Sequence, residues 1–278
     1  MKTLSSILIL ITLSAGCSLQ KSLVSTDQKV PVSAENQQDW YNADIQLLPF
    51  SKDPAALAEI AKALSTRFAS FGQKVYALRL AAYAMEQDKK NKKIATTLAW
   101  AAFLVADGFD GDEAIINKNA EVGVKSARIA GVNETNPEAC YYFALNQGII
   151  VRSKGLIALN KLPEITDALK IAQKAETIDY GGPLRVLGML YLKAPAWPSG
   201  IGDLDKALEL LEQSVKKYPY FPQNYIFYAD ALIEDDNTDR AVEMLETAHK
   251  LAVPEIWGVY YSNKWRNQIE ELKKKITK

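Results

Sequence analysis

Histidine, cysteine and net charge are what this sequence lacks. Its one histidine, His249, has no second histidine and no cysteine near it, which excludes a histidine-based metal site or a serine-histidine triad. The 33 basic and 33 acidic side chains cancel, and the only dense basic run is ELKKKITK at the C-terminus, so no nucleic-acid partner is expected. Those lysines suit the negative end of a terminal helix. A glycine-rich phosphate loop is missing too: GFDGDEA follows a helical run and not a strand. Carboxylates gather in turn-like stretches, Asp235 with Asp236 and Asp110 with Asp112, where they read as caps. Asp107, Asp110 and Asp112 lack the spacing and the terminal glutamate of an EF-hand. The chain is therefore read as a non-enzyme with no metal and no cofactor.

Long apolar runs are also scarce. The one at the start, MKTLSSILILITLSAGCS, has Lys2, then apolar residues from Leu4 to Leu13, then small residues ahead of Cys17. This is the plan of a secretory signal, and the run is too short to span a bilayer as a mature helix. Ala15, Gly16 and Cys17 resemble the lipobox of bacterial lipoproteins, with Ser14 standing where a leucine is usual. That resemblance implies cleavage after residue 16 and lipid attachment at Cys17. With Cys17 so occupied, Cys140 has no disulfide partner and reads as a small, buried free thiol. Ser18 in place of aspartate implies, by the enteric sorting rule, the outer membrane as the site of the anchor, facing the periplasm. Residues 17–38 are polar, aperiodic and contain Pro31, as a flexible tether would be, and leave 39–278 as the folded body.

Beyond Trp40 helical periodicity dominates and no convincing period-2 run occurs. A spacing of small residues recurs. Ala207, Leu211 and Ser214 stand at intervals of 4 and 3, as do Ala241, Leu245 and Ala248; Ala168, Ala172, Ala175 and Ala120, Val124, Ala127 follow more weakly. This is the spacing of the second helix of a tetratricopeptide repeat, where small residues let two helices approach closely. Leu187, Gly188, Tyr191 and Tyr225, Ala229, Leu232 occupy the matching first-helix positions. The fold class is thus all-α, with antiparallel helix pairs stacked as a tetratricopeptide-like superhelix. From Ala229 to Ala241 is 12 residues, as the repeat requires, whereas Gly188 to Ala207 is 19, so the preceding unit carries an insertion of seven.

The insertion lies in GGPLRVLGMLYLKAPAWPSGIGD, residues 181–203. Asp179 or the Gly181-Gly182 pair is expected to end one helix, Pro183 to begin the next, and Asp203 to cap the one after. Trp197, in a proline-flanked loop, either folds back on the stack or lines a cavity. Arg185, a cation in a first helical turn, either pairs with a carboxylate of a neighbouring helix or meets an anionic ligand.

The order Gly181, Gly182, Pro183, Arg185, Leu187, Gly188, then Ala194, Pro195, Trp197, Pro198, then Gly202, Asp203 and Lys206 resembles the T component of tripartite ATP-independent periplasmic (TRAP) transporters. The similarity extends over most of residues 55–252, through ACYYFALNQGIIVRSKG and TTLAWAAFLVADGF. It implies a lipid-anchored periplasmic repeat protein that binds the transporter's solute-binding protein, has a pore or cleft through each protomer, and forms a homotrimer. Gly181, Gly182, Pro183, Arg185, Trp197, Pro198, Gly202 and Asp203 are then the candidate ligand or partner site.

Two readings follow. In one, the protein is a transport accessory that binds the solute-binding subunit and holds a small organic or apolar solute. Tyr141, Tyr142, Tyr191, Tyr225, Tyr228, Trp257, Tyr260 and Tyr261 offer the ring area for that. In the other, it is an outer-membrane lipoprotein scaffold for protein assembly that binds peptide or protein partners only. A scaffold does not require the 181–203 insertion, which places transport first.

Overall fold

The computed structural model describes residues 53–276, apart from Glu176 and 197–199, together with Gln37 and Tyr41. Cys17, Trp197 and Pro198 lie outside the described residues.

Local signals start the helices. Asp53 accepts from the Ala55 amide ahead of α1 (Pro54–Leu64), and Ser70 with Gln73 forms a capping box at the head of α2 (Phe71–Gln87). Asn91, Asp112 and Asn136 cap α3 (Lys92–Gly108), α4 (Glu113–Ala130) and α5 (Pro137–Lys154) with their side chains. A 3-10 segment, Gly155–Lys161, leads to α6 (Leu162–Ala172). Then come α7 (Gly182–Lys193), α8 (Leu204–Lys217), α9 (Pro222–Glu234), α10 (Thr238–Leu251), the short α11 (Pro254–Trp257) and α12 (Val259–Ile276). Asp203 caps α8 as expected, accepting from the Lys206 amide. Among the described residues the one β-type contact is a bridge between Ala196 and Gly202 at the neck of the insertion.

Successive helices pair, α1 with α2 through α9 with α10, and the pairs stack as a tetratricopeptide-like superhelix. The spacing of small residues explains the pairing. Ala207, Leu211 and Ser214 of α8 and Ala241, Leu245 and Ala248 of α10 are fully buried, as are Ala120 and Ala127 of α4. Ala77, Ala81 and Ala84 of α2 carry the same 4 and 3 intervals and are equally buried, which adds a further unit to the series. Ala175 departs from the pattern because α6 stops at Ala172. The expectation that Asp179 or the Gly181-Gly182 pair ends that helix is corrected accordingly. Gln173 is its C-cap, and a 3-10 turn, Ile178–Tyr180, intervenes before α7.

Gly188 shows how close the paired helices come. A Cβ there would sit 2.7 Å from Leu211 Cγ and 3.4 Å from the Ala207 carbonyl oxygen. Gly188→Val is expected to destabilise the chain by about 1–3 kcal/mol, since the Ala207 backbone has no freedom to retreat. Urea melts of the variant measure it.

The superhelix also closes on itself. Phe68, in the loop after α1, packs against Trp257, Tyr261 and Trp265 with ring centroids 5.2, 5.4 and 6.3 Å away. Phe221 joins the same cluster, 5.4 Å from Trp257 and 5.5 Å from Trp265. The first and last elements of the stack therefore share one aromatic core.

Candidate functional site

The Gly181-Gly182-Pro183 turn builds the centre of the molecule. Asp179 and Tyr180 adopt positive φ of 48° and 53°, followed by Gly181 at 83°. Such a run costs strain for residues with a Cβ, and surrounding contacts must hold it. Those contacts are close: a Cβ on Gly181 would lie 2.7 Å from the Tyr218 ring, and one on Gly182 would run into the Tyr141 hydroxyl. Pro183 then enters the first turn of α7.

The turn aims the Asp179 carboxylate inward. It accepts from Arg67 through Nε at 3.0 Å and Nη2 at 2.6 Å, from the Tyr141 hydroxyl at 2.6 Å and from Arg185 Nη2 at 3.0 Å. Arg185, only 2 % exposed, also donates to Asn224 Oδ1 at 2.8 Å and to the Tyr180 carbonyl at 3.2 Å. Its guanidinium stacks 4.9 Å above Phe221. The carboxylate that answers Arg185 thus comes from the adjoining turn and not from a neighbouring helix. Burial pushes the Asp179 carboxyl up, but the charges of Arg67 and Arg185 and the hydrogen bonds from Arg67 and Tyr141 more than reverse it and hold it below 3.8.

Above this cluster lies a chamber of about 420 Å³ between α3, α5, α7, α9 and α12. Arg67, Arg152, Arg185 and Lys264 bring positive charge to its wall and Asp107 brings negative charge. Gln268 Oε1, also at the wall, is buried with no hydrogen-bond partner among the described residues. On the other side of α5 and α7 lies an apolar groove of about 770 Å³. Leu159, Leu162, Met189 and Leu190 form its floor with Pro195 at one end. Leu145, Gly148, Arg152 and Val186 line both spaces and so belong to the wall of α5 and α7 side chains between them.

The structure therefore divides the candidate residues. Gly181, Gly182, Pro183 and Arg185 belong to the buried hub. Gly202 and Asp203 hold the neck of the insertion, where Gly202 donates to the Pro195 carbonyl at 2.8 Å and Asp203 to the Tyr191 carbonyl at 3.0 Å. Of the aromatic residues, Tyr141, Tyr225, Tyr228, Trp257 and Tyr261 are buried and Tyr260 is exposed. Arg67, Asn224 and Lys74 were not legible as members of the centre. Nothing local in STRFASFG marks Arg67 as the partner of a carboxylate 112 positions on.

Lys74 stands behind the chamber, 3 % exposed, and donates to the Tyr261 hydroxyl at 3.1 Å. Burial pulls its pKa from 10.5 down to about 8, against the opposing pull of Asp107. Between those two values the unfolded chain keeps a proton that the folded chain has lost, so stability contributed here rises with pH in that window. Lys74→Met is expected to abolish the rise, measured by comparing urea melts at about pH 7.5 and about pH 10.

Residues 202–257, from the insertion neck through α11, match the tetratricopeptide repeat family. The fold is tetratricopeptide-like. No curated protein matches the sequence. Among solved structures, a thermophilic tetratricopeptide repeat protein of Thermus thermophilus superposes with a TM-score of 0.52 at 12 % identity, over 77 % of this chain and 98 % of that one. MamA superposes at 0.43 and 20 % identity, over 65 % and 89 %. The TPR2AB domain of yeast Sti1 in its pHSP90 complex does so at 0.33 and 15 %, over 81 % and 100 %. In this tetratricopeptide-like chain the first helices α3, α5, α7 and α9 face the chamber, while the small-residue second helices α4, α6, α8 and α10 pack behind them.

Proposed function

We propose that this chain is a periplasmic repeat accessory of a TRAP-type transport system, anchored to the outer membrane by lipid at Cys17. It binds the solute-binding protein and holds a small organic solute in the chamber. Tetratricopeptide-type stacks offer extended concave surfaces to other proteins. The observation that carries the transport reading is that Arg185, one of the residues that bear the family resemblance, lines the chamber, while Gly181 and Gly182 belong to the turn that presents Asp179 to Arg185. Its volume lies within the range of small-molecule sites, and its cations suit an acidic solute.

Capture of the wild-type protein from membranes tests this, with a TRAP-type solute-binding protein as the expected companion by mass spectrometry. Recovery of outer-membrane assembly factors alone would replace it by the scaffold reading. That second reading has its own support in Ile256, Val259 and Tyr260, which are 65, 66 and 55 % exposed at the α11–α12 corner and offer an apolar surface to a protein partner. Fatty-acid labelling that survives Cys17→Ser would remove the anchor, and light scattering reports whether a homotrimer forms.

A further inference from the structure

We propose that a separate pocket, between α1, α3 and α5, is the docking site for an extended acidic segment of a protein partner. The proposal rests on the partner-binding role above, in which that partner is the solute-binding protein, and adds the surface and the chemistry it recognises.

The fold gathers lysine at this place. DKKNKK, residues 88–93, joins α2 to α3 and is a second dense basic run, so the C-terminal one does not stand alone. Lys92 and Lys93 line a pocket of about 350 Å³ with Lys62 of α1, and Thr97, Trp100 and Tyr142 line it too. The pocket shares no lining residue with the chamber or with the apolar groove.

Three observations point to an acidic chain as its occupant. First, Lys62, Lys89, Lys90, Lys92 and Lys93 are exposed, and none has an ion-pair partner among the described residues. The free end of a helix is no part of this charge, since the Asn91 side chain already accepts from the Lys93 and Ile94 amides. Second, Thr97 is 8 % exposed, yet its hydroxyl has no hydrogen-bond partner among the described residues. Thr96, Thr166 and Thr247, also within helices, donate to the carbonyl four residues back. A buried hydroxyl left unpaired costs free energy unless something entering the pocket satisfies it. Third, the pocket crosses three first helices. With neighbouring helices about 8–10 Å apart, that is roughly 20 Å, the length of about six extended residues. Glu59 and Glu138, which also line it, offer acceptors to the amides of such a chain.

Anionic lipid is the other surface that lysines could meet on an anchored protein, and the chain turns them away from it. Gln37, at the end of the tether, donates to the Gly108 carbonyl at the C-terminal end of α3. The lysines sit at the opposite end of that 17-residue helix, about 25 Å away.

Fluorescence anisotropy of labelled hexaglutamate with the full chain tests the proposal, with hexaserine, inorganic phosphate and phosphatidylglycerol vesicles as comparisons. Hexaglutamate is expected to bind, more weakly as salt rises. Lys62→Glu and Lys93→Glu should each lower its affinity about tenfold or more, and Lys250→Glu, on α10, should leave it unchanged. Thr97→Val, which keeps the shape and removes no internal hydrogen bond, should lower it about fivefold with no loss in urea midpoint. Binding indifferent to Thr97→Val would reveal a diffuse basic surface and overturn the proposal. So would phosphate or hexaserine binding as tightly as hexaglutamate, or vesicles binding where hexaglutamate does not. Capture of the solute-binding protein by wild type, Lys93→Glu and Thr97→Val alike would sink this surface and spare the transport role. Hexaglutamate bound by the wild type and lost in both variants, with no solute-binding protein captured, would keep the surface and sink the transport role.

Discussion

Asp179→Asn should unfold at much lower denaturant than the wild type, with a loss on the order of 3–5 kcal/mol. The carboxylate forms ion pairs with both Arg67 and Arg185, and it also accepts from Tyr141. An amide in its place leaves two buried guanidiniums without the carboxylate that pairs with both, and total domain stability is only about 5–15 kcal/mol. The pH dependence gives a second reading. The folded pKa of Asp179 is depressed below 3.8, so its contribution is complete above that value and disappears as pH falls through the folded pKa. The difference in stability between wild type and Asp179→Asn should hold from neutral pH down to about 4 and shrink below it. A difference that stays constant to low pH would show that the carboxylate acts by shape and not by charge. Tyr141→Phe, which removes one hydrogen bond and no charge, should cost only about 1–2 kcal/mol.

Trp265→Ala is expected to cost about 3–5 kcal/mol and to open the closed superhelix. Trp265 is 1 % exposed and its ring touches Phe68, Phe221, Trp257 and Tyr261. Its removal empties the middle of the cluster that joins the loop after α1 to α12. Hydrogen exchange locates the damage: protection should fall in α9, α10 and α12, which share the cluster of Trp265, and persist in α4 and α5, whose buried residues lie in other clusters of the core. Trp265 also lines the chamber, so ligand titrations on the variant should weaken together with stability. Loss of protection spread evenly over all helices would mean that the stack unfolds as one unit and that closure has no separate role.

The repeat was readable in the residues because its cause is local and periodic. Small side chains at intervals of 4 and 3 permit close helix approach wherever they occur, and Ala207, Ser214, Ala241 and Ala248 are buried for that reason. Helix starts were equally plain, since a cap such as Asp203 acts on amides two or three residues away. The end of α6 was misplaced. Asp179 has the chemistry of a helix terminus, and what draws it into a strained turn beyond the helix is Arg67, 112 residues earlier in the chain. Arg185 was recognisable as a cation in want of a partner, yet local sequence could not show whether that partner was the protein or a ligand. Only folding brings Asp179, Tyr141 and Asn224 around it, because the superhelix returns each first helix to the same interior. The chamber and the apolar groove belong wholly to that level: they are gaps between helices, and no residue type encodes a distance between elements.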